Sequence, residues 1–402
     1  MTGIITAQGL GLLDASLNVS GQRGLGPSGE QAVVNAATGN LILQRRDEIL
    51  TGVGVNAQAL RTYNSLGAMD GDNNDGWRLG AYRRVDFNAA DNTITRTAAD
   101  GHQSVYTWNA AGYFESTDGK GAYDRMTRDT GTGEITWTDG STQIQETYGA
   151  DGFLKQITDR DGHATQFHFN NGLLAKIASD TQTIEFNYEG NLLKDVLIRT
   201  YDNDNPNTEE LYQRTSYTYD NQNRLESVRV DLTPDVSDDN ALYVTEYGYD
   251  GDSTRVNRIT QSNGQVVAIT YTSDFKVESV TDSAGHSQTF TYHNGYTDVQ
   301  DEQGRVTSIY FNANGDLTQV IEPTNEQGQR PTTQYTYDVH GNLETLTNPL
   351  SETLTFEYDA RGNLIFERDA SGNVVERRYN NDNLLIAETV YAKAATEAYD
   401  PN

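Results

Sequence analysis

Apolar and polar residues alternate along most of this chain in short runs, each closed by a turn. Leu354-Thr355-Phe356-Glu357-Tyr358 is one such run, and Tyr335-Thr336-Tyr337, Tyr217-Thr218-Tyr219 and Phe290-Thr291-Tyr292 repeat it with Thr between aromatic rings. A period of two marks a strand with one buried face, and Thr and aromatic residues favour extended backbone. Asp or Asn followed by Gly closes these runs and supplies the positive φ that tight hairpin turns need. A second turn falls within the unit, at Asp161-Gly162, Ala284-Gly285, Gln303-Gly304 and Ser371-Gly372. Helical periodicity is absent except for a short stretch near Tyr391 to Glu397. The pattern predicts an all-β chain of hairpins.

Those hairpins recur at a fixed spacing. Tyr337-Asp338-Val339-His340-Gly341-Asn342-Leu343 returns 21 residues later as Tyr358-Asp359-Ala360-Arg361-Gly362-Asn363-Leu364, and again at Tyr379. Earlier units open on Tyr148, Phe169, Tyr188, Tyr219, Tyr249, Tyr271, Tyr292 and Phe311, and a looser one begins near Trp108. Repetition of this kind means one structural unit stacked many times. The longer steps hold polar insertions, Tyr201 to Asn207 and Thr233 to Asp239, which read as loops. About a dozen hairpins side by side predict tandem repeats forming a curved, spiralling sheet over residues 101–390. Before it lie a Gly/Ser-rich segment, 1–45, and leading strands with an Asp-rich loop, 46–100; a tail, 391–402, follows.

Composition refines this picture. Hydrophobic residues make up only 35%, and 24 Tyr stand against 11 Phe. A Tyr ring packs in a thin layer while its hydroxyl reaches water or a neighbouring strand, so the expectation is one curved sheet without a thick interior. A net charge of −29 repels phosphate backbones and anionic headgroups, which disfavours nucleic-acid and membrane partners. Cysteine is absent, which removes disulfides and thiol chemistry. No stretch is long and apolar enough for a helical membrane span. Met1 to Gln8 shows neither a basic n-region nor a sustained apolar run.

Candidate chemistry is sparse. His102, His163 and His286 each follow a turn glycine, and His340 precedes one, so a repeated structural place explains them better than catalysis or metal binding. His163 and His168, five apart, face opposite sides of a strand. Among 58 acidic residues, paired carboxylates carry no information about glycoside hydrolysis. No nucleophile elbow, phosphate-binding loop or dinucleotide fingerprint occurs. One loop, Asp70-Gly71-Asp72-Asn73-Asn74-Asp75-Gly76, alternates oxygen ligands as calcium prefers, with Asp70, Asp72, Asn74 and Asp75 as the ligand set. Its glycine falls one place late for an EF-hand, and Ala81 stands where the bidentate Glu belongs. No other cofactor is expected.

The Tyr-Asp-x-x-Gly-Arg/Asn-Leu unit resembles the YD repeat of RHS-repeat proteins. Leu60-Arg61-Thr62-Tyr63-Asn64-Ser65 followed by Gly76-Trp77-Arg78-Leu79-Gly80 is similar to the segment that precedes the repeats in bacterial members. The resemblance covers the chain from about residue 36. It implies a β-hairpin ribbon that spirals into a hollow shell. In relatives (bacterial polymorphic toxins, insecticidal toxin-complex subunits, animal teneurins) that shell encloses cargo or presents a surface to a partner. Toxin members end their core in an Asp-Pro-x-Gly-Leu-type self-cleavage segment; here Asp400-Pro401 is followed only by Asn402, so no self-cleavage Asp carries over.

Three functions follow as expectations. The first is a non-enzymatic scaffold, part of an RHS β-shell in toxin delivery or bacterial cell contact, partnered by the remainder of a larger RHS chain or an encapsulated toxin domain. It would be secreted or at the cell surface by a route without a visible signal peptide, and cytoplasmic before export. The second is an extracellular carbohydrate-binding or adhesin module, taking a cell-surface glycan on Trp77, Trp108 and Trp137. The third is a polysaccharide-degrading enzyme, which the acidic surface disfavours for polyanionic substrates.

Overall fold

The computed structural model describes residues 2–391 except 14, 17–18, 26–28, 52–53, 68–74, 118–121, 180–181, 203–204, 235 and 237–240. Among the described residues there are thirty-four strands and no helix, in two sheets. The stretch near Tyr391 to Glu397 that suited a helix lies outside them beyond Tyr391, which ends the last strand.

The first sheet holds β1 (Gly3–Ile5), β2 (Gly24–Leu25), β3 (Glu30–Asn35), β4 (Leu41–Leu50), β5 (Ala57–Asn64) and β6 (Trp77–Leu79), ordered β1-β3-β4-β5-β6 with β2 on β3. Residue 45, drawn above as a boundary, falls inside β4, because residues 3–79 build one sheet. The second sheet runs from β7 (Arg84–Asn88) to β34 (Leu385–Tyr391), each strand pairing antiparallel with the next. It starts before the expected residue 100, because Val85, Phe87 and Ile94 alternate in β7 and β8 (Thr93–Thr97) ahead of any Tyr-Asp turn. Among the described residues no ladder joins β34 back to β7, so the sheet is an open spiral.

Each repeat aromatic marks a bend in that spiral. The pairing register shifts by one residue immediately before Tyr148, Phe169, Tyr188, Tyr219, Tyr249 and Tyr271, and again before Phe311, Tyr337, Tyr358 and Tyr379. Such bulges bend and twist a strand. Tyr292 escapes the rule because Asn294-Gly295 makes a two-residue turn between the paired His293 and Tyr296. The Tyr hydroxyls then tie hairpin to hairpin. Tyr271 donates to the Val256 carbonyl at 2.7 Å, Tyr292 to Val277 at 2.7 Å, Tyr337 to Leu317 at 2.8 Å, Tyr358 to Leu343 at 3.1 Å and Tyr379 to Leu364 at 3.1 Å. The turn Asp supplies the other half of the motif. Asp338 Oδ1 accepts the amides of His340 and Asn342, and Asp359 does the same for Arg361 and Asn363.

Two sequence expectations change. The described residues of the Tyr201 to Asn207 insertion, all but 203–204, are strand, since β18 (Leu192–Asp202) and β19 (Asn205–Tyr219) stay paired through Tyr201↔Glu209 and Asp202↔Asn205. Backbone pairing needs no apolar side chain, so polar composition did not end the ladder. Of the Thr233 to Asp239 insertion, 235 and 237–239 lie outside the described residues. The interior is also thicker than expected, because the first sheet fills it. Ile4, Val34, Leu41 and Leu43 share a buried cluster with Leu174, Val228, Ile259, Val280 and Ile309 of the spiral. The opposite face, Ile5, Val33 and Ile42, is covered by Ala7, Leu12 and Ala15.

The spiral begins as a tight coil with its own core, Ile94, Tyr106, Met126, Trp137, Tyr148 and Leu154 among it. The coil closes where Arg84 bridges Phe153 and the Val85 amide donates to the Gly152 carbonyl at 3.0 Å. The last repeats then seat on this coil. The Tyr123 amide donates to the Arg361 carbonyl at 2.8 Å and Asn383 Nδ2 to the Gly140 carbonyl at 3.0 Å, while Asn363 Nδ2 donates to Asn383 Oδ1. Asn342 and Asn363, which follow the turn glycines here, are buried in or beside that seam. At the same place in earlier units Arg224, Arg255 and Lys276 instead lie over the next unit's ring, Tyr249, Tyr271 and Tyr292.

Inside the first coil Arg96 is buried, with its guanidinium 3.8 Å from the Trp137 ring centroid and 2.8 Å from Glu146. Arg83 and the Tyr148 hydroxyl also meet Glu146. Burial alone would raise this carboxyl, but Arg83, Arg96 and the Tyr148 hydroxyl outweigh it and hold the group at about 2. Its stabilisation is therefore present above the ordinary 4.5 and is lost as pH falls towards 2. We predict that Glu146→Gln, which strands a buried guanidinium, costs about 3–5 kcal/mol near neutral pH in urea unfolding. That penalty shrinks as the wild type is acidified below pH 4.

Candidate functional site

The loop singled out for calcium is only partly described: Asp70, Asp72 and Asn74 lie outside the described residues. Asp75 is buried, and both its oxygens accept backbone amides, Oδ1 from Trp77 and Oδ2 from Leu225, each at 3.0 Å. It thus pins the end of the loop to the spiral. Among the described residues no group of three or more His, Asp and Glu is placed to hold a metal ion.

The histidines are spread along the spiral. His163 and His286 occupy matching turns, and each ring meets the Asp four residues before it, Asp159 at 3.1 Å and Asp282 at 2.9 Å. His293 stacks on Tyr296 and reaches Asp298 at 3.3 Å. His340 lies against Tyr123 at the coil seam, and His168 is exposed. Of the three tryptophans, Trp77 and Trp137 are buried in the core and only Trp108 is exposed, which leaves no row of them for a sugar.

The densest constellation of charge lies where the first sheet meets the spiral, and sequence reasoning missed it because charged residues read as surface. Arg61 is 3% exposed and forks onto Asp47 at 2.8 and 3.2 Å. Its guanidinium also lies 4.3 Å from the Trp77 ring centroid. Asp47 accepts the Tyr217 hydroxyl, Glu30 accepts the Tyr247 hydroxyl and Glu48 accepts the Thr215 hydroxyl, all three from strands of the spiral. Arg45 reaches Asp47 at 3.4 Å and Thr245 at 3.3 Å. The charged groups are buried, and the cavity beside Arg61 and Tyr217 is only about 20 Å³, so the arrangement fastens two sheets.

Burial raises the Glu30 carboxyl above its ordinary 4.5 against the pull of Arg61 and Arg45, and burial likewise raises Glu48. A raised folded value means that the stability linked to Glu30 is fully present below 4.5 and is lost as pH rises through that raised value. This is opposite in sign to Glu146. Glu30→Gln keeps an acceptor for Tyr247 and removes the charge. We predict that urea midpoints compared at pH 5 and pH 8 show a smaller loss at the higher pH in this variant than in the wild type.

A second feature is the change in the inner face along the spiral. In β24 (Val277–Asp282), β25 (Ser287–His293) and β26 (Tyr296–Asp301), Val280, Phe290 and Val299 pack on the first sheet. The matching places in β32 (Leu364–Arg368), β33 (Val374–Tyr379) and β34 are Glu367, Arg377 and Glu388, an ion-paired row with bridges of 3.2 and 3.0 Å. The row ends at β34, all seven residues of which are exposed, with Leu385, Ile386 and Val390 between 51% and 66%.

Comparison with known protein families matches two stretches of the chain. The model of the teneurin YD-shell matches residues 176–391, and that of a domain of unknown function, DUF6531, matches residues 31–106. No curated protein matches. Among solved structures, the TcdB2-TccC3-Cdc42 crystal structure is similar at 11% identity and a TM-score of 0.40, over 90% of this chain and 22% of that one. The Photorhabdus luminescens Tc holotoxin pore is similar at 10% identity and a TM-score of 0.41, over 87% of this chain and 26% of that one. This chain therefore spans about a quarter or less of the length of those chains. With the teneurin YD-shell model matching more than half of its residues, and a hairpin spiral built on the same Tyr-Asp unit, the chain belongs to the teneurin YD-shell family.

Proposed function

We propose that this chain is a non-enzymatic wall segment of an RHS shell, with one end closed and the other left for further wall or cargo. The observation that carries the reading is the inner face. It is aliphatic and covered by the first sheet as far as β28 (Leu317–Ile321), then turns to the Glu367-Arg377-Glu388 row and stops at an exposed strand. A covered stretch needs apolar side chains, while a stretch facing a water-filled lumen or a polar cargo needs charged ones. The tight first coil, with its own core, plugs the narrow end. Family membership makes enclosure of a toxin domain, outside the producing cell, the natural context. The non-enzymatic reading is supported by the uses of the buried acids Asp47, Glu30 and Glu146, which are taken up by Arg and Tyr partners in the core.

Among the described residues β34 pairs only with β33, and an edge strand with apolar side chains recruits another strand, which is what a wall segment requires and a finished binding module avoids. Light scattering across a concentration series tests this. The wild type should gain mass above the monomer as concentration rises, and Ile386→Lys with Val390→Lys should hold it as a monomer. A wild type that stays monomeric at every concentration would remove the wall-segment reading and favour a self-contained module.

A further inference from the structure

We propose that the free edge of β2 takes up an extended segment of another polypeptide, which pairs with the Gly24 backbone and buries an aliphatic side chain against the spiral. Among the described residues β2 pairs only with β3. The Ala32 amide donates to the Arg23 carbonyl at 2.7 Å. Bonded and non-bonded pairs alternate in an antiparallel ladder, so the next pair, Gly24↔Gln31, is a non-bonded one. The Gly24 amide and carbonyl therefore point away from β3. A cavity of about 300 Å³ lies beside this edge, walled by Gly24 and Leu25 on one side and by the turns at 261–265 and 282–286 on the other. Gly24 has no side chain, so it meets the cavity with backbone. A sheet edge of this kind accepts an added strand.

The chain itself shows what fits such a place. The turn at 159–163 is the counterpart of 282–286 earlier in the spiral. Asp159 and Asp282 each meet the histidine four residues on, at 3.1 and 2.9 Å, and Ile157 and Val280 stand buried two residues before them. Against the earlier turn lies Gly54-Val55, from the connection between β4 and β5. A Cβ on Gly54 would fall 2.4 Å from the His163 Cβ. Val55 packs on the cluster that includes Ile157, and its carbonyl accepts the Thr165 hydroxyl at 2.6 Å. At the later turn the first sheet presents Gly24-Leu25, and it stands further off. Among the described residues a Cβ on Gly24 would have no atom within 4 Å beyond its chain neighbours. Thr2 bonds Gln288, the counterpart of Thr165, at 2.9 Å, so what the later turn leaves open is the aliphatic place of Val55. The cavity occupies that place, with Ile259, Val267 and Val280 as its floor. Among its described lining residues the one acid, Asp282, is already met by His286, and the other polar walls are neutral. On a chain of net charge −29, such a site suits a segment with a small aliphatic residue and no acid.

The site stands whether or not the spiral is extended at β34, and its test is read at the site. Methyl NMR of the whole chain is followed during titration with acetyl-Gly-Val-Asn-Ala-amide, the sequence of residues 54–57. The Val267 and Val280 methyls should move to saturation, while those of Ile135 and Ile157 in the first coil stay still. The same peptide N-methylated at Val and at Asn loses the strand-pairing donor in either register, and should bind about tenfold weaker or more. Val280→Phe fills the floor and should abolish the response; if that variant fails to fold, the N-methylated peptide on the wild type decides. Absence of a saturable shift at Val267 and Val280 overturns the proposal. So does a shift that persists in folded Val280→Phe, which would place the peptide elsewhere. Equal binding of the N-methylated peptide overturns it too, because apolar filling without strand pairing would then explain the shift.

Discussion

The bond from the tyrosine hydroxyl of the later repeats, Tyr249 to Tyr379, to a backbone carbonyl of the preceding hairpin is the interaction on which the spiral depends. A β-sheet of this length has no intrinsic radius, since each added hairpin could continue flat. Here a bulge before the tyrosine bends the strand, and the hydroxyl fixes the bend by reaching the carbonyl of Val256, Leu317, Leu343 or Leu364, while Tyr292 makes the same bond to Val277 without a bulge. Burial raises these phenols, Tyr358 to about 12, so each remains a protonated donor at any physiological pH. Phenylalanine would fill the same space without holding the next hairpin, which gives a physical reason for the excess of Tyr over Phe.

A bent ribbon needs something to bend around, and the first sheet provides it. Its two apolar faces are both covered, one by the spiral and one by the N-terminal segment. The Arg61 network joins it to Tyr217, Tyr247 and Thr215 across the interface. Removing one member would leave a buried charge without its partner, so the network restricts how the sheet can sit as well as holding it there. The same logic recurs on a smaller scale at Arg96 and Glu146 inside the first coil.

The hairpin array was legible because its signals are local: alternation, an Asp-x-x-Gly turn, and an aromatic at each start. The packed interior was harder to read. Ala32-Val33-Val34 and Leu41-Ile42-Leu43 are continuous apolar runs rather than alternating ones, the mark of strands buried on both faces, and they lie in the segment set apart as Gly- and Ser-rich. Arg45, Arg61, Glu30 and Asp47 carried no such mark, since only the fold brings them together. The matching place of His102, His163 and His286 was visible in the sequence.

Amide hydrogen exchange of Tyr271→Phe, set beside Tyr310→Phe, tests the central claim most directly. Tyr271 gives its hydroxyl to the Val256 carbonyl, whereas Tyr310 stacks on Tyr296 on the other face of the sheet. Loss of a buried hydrogen bond should speed exchange in the strands around Val256 and Val277 by about tenfold or more, with little change for Tyr310→Phe. Equal exchange in the two variants would contradict the account, because the ring and not the hydroxyl would then be holding the spiral.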